Sequence, residues 1–254
     1  MFNATYFTYD GIFSSSYGLQ IADFDDNAVK EGEALTLTLA LQKASGALRF
    51  SHSGIECDTP PTCEFAVISD SEFSAADRKE IMAWLVGRND FKELTFTGGD
   101  SDGYTYRCVF TSVSTISVHG RCYGFRLTAQ FDSPYARGIA TSVTVGSGTH
   151  TISLVNNSGI MDDYVYPMVE FTGASVDIVN TTDDSSRHFT FSGMSGTTTV
   201  DNETRHIQNS AGVMPLSGFT SKKWLRLRRG TNVLKITSAG TVKITCPNYA
   251  IIGY

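Results

Sequence analysis

Between Leu94 and Phe131 apolar and polar residues take turns with the period of a strand, not of a helix. Leu94 and Phe96 form one set, then Tyr104, Tyr106, Cys108 and Phe110, then Tyr123, Phe125, Leu127, Ala129 and Phe131. A period of two puts each set on one face, so three strands sharing a buried side are expected. Ser133-Pro134-Tyr135 closes the last, because proline cannot continue a ladder in a sheet interior. Ahead of the strands, Ser74 is placed to cap a helix with Asp77 three residues on and Phe73 as staple. Ile81, Trp84 and Leu85 fall on one face of that helix and Gly87 ends it. The expected unit is a short amphipathic helix, anchored by one tryptophan, against an antiparallel sheet.

The rest of the first half is read more loosely. Phe7, Tyr9 and the Asp10-Gly11 turn, then Ser16 to Ile21, suggest two short strands. Asn27 to Gly32 is a charged turn, Leu35, Leu37, Leu39 and Leu41 alternate onto one face, Phe50 to Thr62 is polar with two prolines, and Cys63 to Ile68 reads as a strand. Arg137 to Gly148 passes into small and polar residues, which places a domain boundary near Gly138. At 254 residues the chain exceeds the commonest domain size, so domains over 1–138 and 139–254 are expected.

Past the boundary short strands recur: 149–156, 166–172, 175–180, 187–192, 197–201, 206–209, 224–227, 232–237 and 241–246. Such spacing, punctuated by Gly, Asn and Ser, indicates a sandwich or jelly roll. Ser238-Ala239-Gly240 reads as a tight hairpin that puts Leu234, Ile236, Val242 and Ile244 on one face.

Candidate chemistry is sparse. Gly193-Met194-Ser195-Gly196-Thr197 falls one residue short of a nucleophile elbow and lacks the strand and long helix around it, so it reads as a turn. The five histidines are scattered, and Cys57 and Cys63 flank Pro60-Pro61 without a second pair, so no metal site is expected. Asp100-Ser101-Asp102-Gly103 opens like a calcium loop, but Tyr104 and Thr111 stand where ligands are needed, leaving an acidic hairpin tip. Asp162-Asp163 and Asp183-Asp184 read as solvated turn residues, not a glycosidase pair. Neither an enzyme nor a cofactor is indicated. An odd cysteine count of five suits reduced thiols, and no secretory signal is visible, so synthesis and assembly in the cytoplasm follow. No apolar run is long enough for membrane insertion.

Charge is uneven. Residues 1–138 hold 18 Asp/Glu against 11 Lys/Arg, a net of −7, while 139–254 hold 8 against 9, a net of +1. Nucleic-acid gripping by the first part is therefore disfavoured. The sharpest feature of the second is Lys222, Lys223, Trp224, Arg226, Arg228 and Arg229, five cations and one tryptophan in eight residues. Leu225 and Leu227 alternate with them, so a strand with one wet face is the simplest reading, and contact with an acidic neighbouring subunit comes next. Trp224 flanked by Arg226 and Arg228 also offers an aromatic platform for a sugar.

In order along the chain, several stretches resemble the distal tail protein (Dit) family of long-tailed phages. Phe7-x-x-Asp10-Gly11 and Tyr17-Gly18-Leu19 resemble the start of that family. Ala83-Trp84-Leu85, Leu94-Thr95-Phe96 and the aromatic strand into Ser133-Pro134-Tyr135 resemble the rest of its N-terminal domain. Asn156-Asn157-Ser158-Gly159, Tyr166-Pro167-Met168-Val169, Val176 to Asn180, Val200-Asp201 and Trp224-Leu225-x-Leu227-x-x-Gly230-x-Asn232 resemble its C-terminal galectin-like domain, although the His-Asn-Pro-Arg motif of galectins is missing. The resemblance implies a mainly β fold, with an N-terminal β-barrel-like domain carrying one short helix and a C-terminal galectin-like sandwich. It further implies a virion protein of the phage tail tip or baseplate. Six copies would form a ring that joins the tail-tube protein to the tail-tip hub protein, lets DNA pass, and carries outer domains open to receptor-binding proteins in host attachment. A carbohydrate-binding adhesin is the alternative.

Overall fold

A computed structural model describes residues 4–22, 38–42, 51–56, 61–99, 101–160, 164–212 and 216–251. The charged turn at 27–32, Leu35 and Leu37, Cys57, Asp100 and the Asp162-Asp163 pair lie outside the described residues. Two compact units are present, Met1–Ala136 with Ile251–Tyr254 and Arg137–Ala250. Among the described residues no helix is long and apolar enough to cross a membrane.

The first unit begins with β1 (Tyr6–Tyr9) and β2 (Ile12–Phe13), joined at Asp10 and Gly11. Both turn residues have positive φ, 50° and 76°, the conformation whose twist matches a two-residue hairpin. A 3-10 turn over Ser14–Tyr17, where a strand was expected to begin, leads to β3 (Gln20–Ala22). Ser14 is buried there because its hydroxyl accepts from Phe7 N at 3.2 Å. β4 (Thr38–Gln42) pairs antiparallel with β5 (Ser51–Glu56), so part of the polar stretch after Phe50 is a strand. Then come β6 (Thr62–Ile68), α1 (Ala75–Val86), β7 (Lys92–Thr97), β8 (Thr105–Val118) and β9 (Arg121–Phe131). Pairing runs β2-β1-β7-β8-β9-β6-β3, antiparallel at each printed step, and Ile21 N donates to Thr5 O at 2.9 Å. That bond links β3, at one end of the run, to the residue before β1, next to the other end, without a continuous ladder, a barrel-like curl short of closure.

The helix follows its local signals. Asp77 N donates to Ser74 Oγ at 3.2 Å while Ser74 N donates to Asp77 Oδ2 at 2.9 Å, a reciprocal cap. Ile81, Trp84 and Leu85 are buried. Trp84 lies parallel to Phe7 at 5.6 Å, stacks near Tyr17 at 5.2 Å and donates its indole N–H to Tyr9 O at 2.9 Å. The indole thus enters an aromatic core without leaving its polar atom unsatisfied. The alternating residues Leu94, Phe96, Tyr106, Cys108, Phe110, Phe125, Leu127 and Phe131 fill the same core.

The second unit holds most of β10 (Tyr135–Val145), then β11 (Gly148–Asn156), β12 (Tyr164–Val165), β13 (Met168–Thr172), β14 (Ser175–Asn180), β15 (His188–Ser192), β16 (Thr197–Asp201), β17 (His206–Asn209), β18 (Leu227–Arg228), β19 (Gly230–Ser238) and β20 (Val242–Ile251). The stretch after Arg137, expected to leave the sheet, is therefore mostly strand. One sheet runs β17-β16-β13-β20-β10 and the other β11-β19-β14-β15, and Val169, Phe171, Val200 and Ile244 of the first meet Leu154, Ile178, Phe189 and Ile236 of the second in one core. This is a β-sandwich, and the fold as a whole is mainly β.

Ser238-Ala239-Gly240 does not close a hairpin. β19 is already paired on both sides, by β11 and β14, so the chain crosses to the opposite sheet, where β20 pairs with β13. Leu234, Ile236, Val242 and Ile244 are all fully buried, but from two sheets instead of one face. The crossing passes tight against β13, since a Cβ on Gly240 would collide with Thr172 O.

Candidate interaction surface

The basic segment after Ser221 is for the most part not a strand. Only Leu227 and Arg228 pair, with Val165 and Tyr164. Its main chain is held instead by side chains from surrounding strands and turns. Leu225 N donates to Asn202 Oδ1 at 2.8 Å, Asn180 Nδ2 to Arg226 O at 3.0 Å, and Arg187 Nη2 to Trp224 O at 3.0 Å. Arg228 N donates to Asn232 Oδ1 at 2.9 Å, and its carbonyl accepts from Asn232 Nδ2 at 2.8 Å and Asn156 Nδ2 at 3.2 Å. Asn180 Nδ2 also reaches Asn232 Oδ1 at 2.8 Å. Four buried asparagines thus do what a neighbouring strand would do, satisfying backbone groups that leave water with Leu225 and Leu227. The asparagines of the motifs at 156, 180 and 232 have this structural use, and Gly230, at φ 88°, makes the bend between them.

The cations divide into two groups. Arg226 Nε meets Asp183 Oδ2 at 2.7 Å and Arg228 Nε meets Asp183 Oδ1 at 3.1 Å, while Tyr164 donates its hydroxyl to Asp183 Oδ1 at 3.0 Å. The Arg226 guanidinium lies 3.9 Å above the Tyr164 ring. The Asp183 side chain is only 2% exposed, so it is not the solvated turn residue expected of it. Burial pushes its carboxyl up, but the hydrogen bonds from Arg226 and Tyr164 and the charge of Arg226 outweigh that and hold it below the usual carboxylate range. Its neighbour Asp184 does stay exposed, bonded to Ser186 N at 2.8 Å. Two arginines separated by one residue, with no acid beside them in sequence, were the only signal that a distant carboxylate must answer them.

Lys222, Lys223 and Arg229 are exposed. Lys222 sits at φ 52°, a left-handed conformation uncommon outside glycine. Trp224 is half-buried and packs on Phe219 at 4.9 Å, and the cleft beside it holds about 10 Å3, room for a single water. Arg226 and Arg228, which flank Trp224 in the sequence, both bond Asp183.

Other candidate sites fare similarly. Cys63, Cys108, Cys122 and Cys246 are buried, and burial pushes the Cys108 thiol up to about 12. No cluster of three or more His, Cys, Asp or Glu suited to a metal occurs among the described residues. His188 Nδ1 lies 2.9 Å from Asp177 Oδ2 on the outer face of β14 and β15, an exposed pair whose carboxylate also accepts from Thr190 Oγ1 at 2.9 Å.

The whole chain shares its fold with SPP1 Dit, described as a paradigm of the hub adsorption apparatus in Gram-positive-infecting phages, at 14% identity and TM-score 0.68, covering 98% of this chain and 100% of that one. It is also similar to a chain of the phage P2 baseplate in its activated conformation with Ca, at 7% identity and TM-score 0.50, covering 97% and 98%. No curated protein sequence matches the chain. The matching proteins are structural parts of phage tails and baseplates, not enzymes. The family model for the phage tail protein N-terminal domain matches residues 2–133, more than half the chain, and the chain belongs to that family.

Proposed function

We propose that this phage tail protein is the distal tail component of the tail tip. Six copies form a ring through residues 1–138, with tail-tube protein on one side and the tail-tip hub protein on the other, and residues 139–254 form galectin-like outer domains. The observation that carries the reading is fold likeness to SPP1 Dit over nearly the full length of both chains. The charge supports a conduit: a net of −7 on residues 1–138, repeated around a bore, repels phosphate, so DNA passes without being held. Lys222, Lys223 and Arg229, the cations not engaged with Asp183, form a docking patch for an acidic neighbouring subunit, and Trp224, Arg226 and Arg228 shape the segment that presents them. The protein is made in the host cytoplasm and built into the virion.

Native mass spectrometry and negative-stain microscopy of the protein, alone and mixed with the tail-tube protein of the same phage, test the assembly. Sixfold rings in either sample are expected. A species that stays monomeric in both refutes the ring. For the patch, Lys222→Glu/Lys223→Glu/Arg229→Glu should leave the fold intact and reduce incorporation into tails, and full incorporation removes the patch from the interface.

A further inference from the structure

At the end of the second unit where β15 stops, β16 starts and β17 stops, Ser192, Met194, Ser195, Asn209, Ser217 and Gly218 line an open cavity of about 320 Å3. The turn singled out in the sequence as a near miss for a nucleophile elbow forms one wall. Gly193 and Gly196, at φ 68° and 69°, fold it, and Met194 N ties it to Ala174 O at 3.1 Å. Asn209 Oδ1 accepts from Ala211 N at 3.0 Å, which sets the amide. Below, Phe219 stacks on Phe191 at 4.7 Å and 14°, and Phe219 N donates to Leu216 O at 3.3 Å. A Cβ on Gly218 would collide with Met194 Sδ, so the thioether of the nearly buried Met194 fills space that only glycine leaves and gives the cavity an apolar floor.

Among the described residues, none that lines the cavity is charged. The three serine hydroxyls, of Ser192, Ser195 and Ser217, can each donate and accept. An anion entering here would lose water without gaining a cation, and a hydrocarbon would strip water from the hydroxyls without replacing its bonds. A neutral, hydroxylated ligand exchanges its hydrogen bonds one for one and lays its C–H face on Met194. The volume lies at the lower end of the roughly 300–1,000 Å3 of small-molecule sites, enough for one ring. We propose that this cavity binds a single neutral sugar unit, a hexose or N-acetylhexosamine. The site is separate from Trp224, and the proposal does not depend on the tail-tip reading.

Saturation-transfer NMR on the full chain with the methyl glycosides of glucose, galactose and N-acetylglucosamine tests it, with glucose 1-phosphate as the charged comparison. Transfer from at least one neutral glycoside is expected, with a roughly millimolar Kd weakened about tenfold or more by Ser217→Phe and, separately, by Ser195→Glu. Both serines are exposed, and thermal melts verify that each variant stays folded. Lys222→Ala/Lys223→Ala should leave the Kd unchanged. Absence of transfer from all three glycosides, transfer that survives both serine variants, or tighter binding of glucose 1-phosphate overturns the proposal.

Discussion

Asp183→Asn isolates the charge at the centre of the second unit's basic segment. The amide keeps the shape but replaces one carboxylate oxygen with a donor, which then faces Arg226 Nε or Arg228 Nε. At least one of the contacts at 2.7 and 3.1 Å becomes donor against donor, and the others lose their charge assistance. A hydrogen bond to a charged group is worth about 1.5–3 kcal/mol against about 0.5–1.5 for a neutral one. Arg226 is 26% exposed and Arg228 52%, so water compensates the latter in large part. The expected loss is about 2–4 kcal/mol, overlapping the lower part of the ~3–5 of a fully buried ion pair. The chain's two tryptophans fall one in each unit, so Trp84→Phe leaves Trp224 fluorescence to follow the second unit alone in urea. Because folding depresses the carboxyl's pKa, this stability is complete above the ordinary Asp value of ~3.9 and fades as pH falls through the lower folded value. The gap between wild type and Asp183→Asn should therefore narrow in acid. A midpoint shift worth less than about 0.5 kcal/mol at pH 7, or a gap that widens in acid, refutes the account.

Trp84→Ala removes the ring between Phe7 and Tyr17 and the indole N–H that donates to Tyr9 O; followed by near-ultraviolet circular dichroism in urea, it should destabilise the first unit by about 3–5 kcal/mol, and a loss under 1 would place Trp84 outside the core. Gly124→Ala puts a Cβ into Val67 O across the β6–β9 ladder, so a loss of about 1–3 kcal/mol or more is expected by denaturant titration, against no change if that pairing is absent. Asn232→Ala removes hydrogen bonds to the main chain at Arg228 and Gly230 and to Asn180, and should cost the second unit about 2–4 kcal/mol while speeding amide exchange at Arg228; unaltered exchange there would separate Asn232 from the segment. In gel-shift titration the protein should not retain double-stranded DNA at physiological salt, and tight, salt-sensitive retention abolished by alanine at Lys222, Lys223 and Arg229 would make the basic patch a nucleic-acid site.

What the sequence determined by itself is local. The α1 cap needs only Ser74 and Asp77 three residues apart, and the faces of β7, β8 and β9 follow from a period of two, because these signals are completed by neighbours in the chain. The same holds for the Asp10-Gly11 hairpin. The tertiary structure alone decided whatever depends on a remote partner. Alternation around Ser238-Ala239-Gly240 marks two buried faces equally well whether the strands pair or cross between sheets, and only the occupation of both edges of β19 by β11 and β14 selects the crossing. Leu225 and Leu227 are buried at alternate positions, as in a strand, yet most of their segment has no ladder, since asparagines from residues 156 to 232 supply the hydrogen bonds. Asp183 looked like a turn residue because its counter-charges stand more than forty positions away. Bringing Arg226 and Arg228 to it is a property of the closed sandwich, in which Coulomb attraction acts through space and takes no account of separation along the chain.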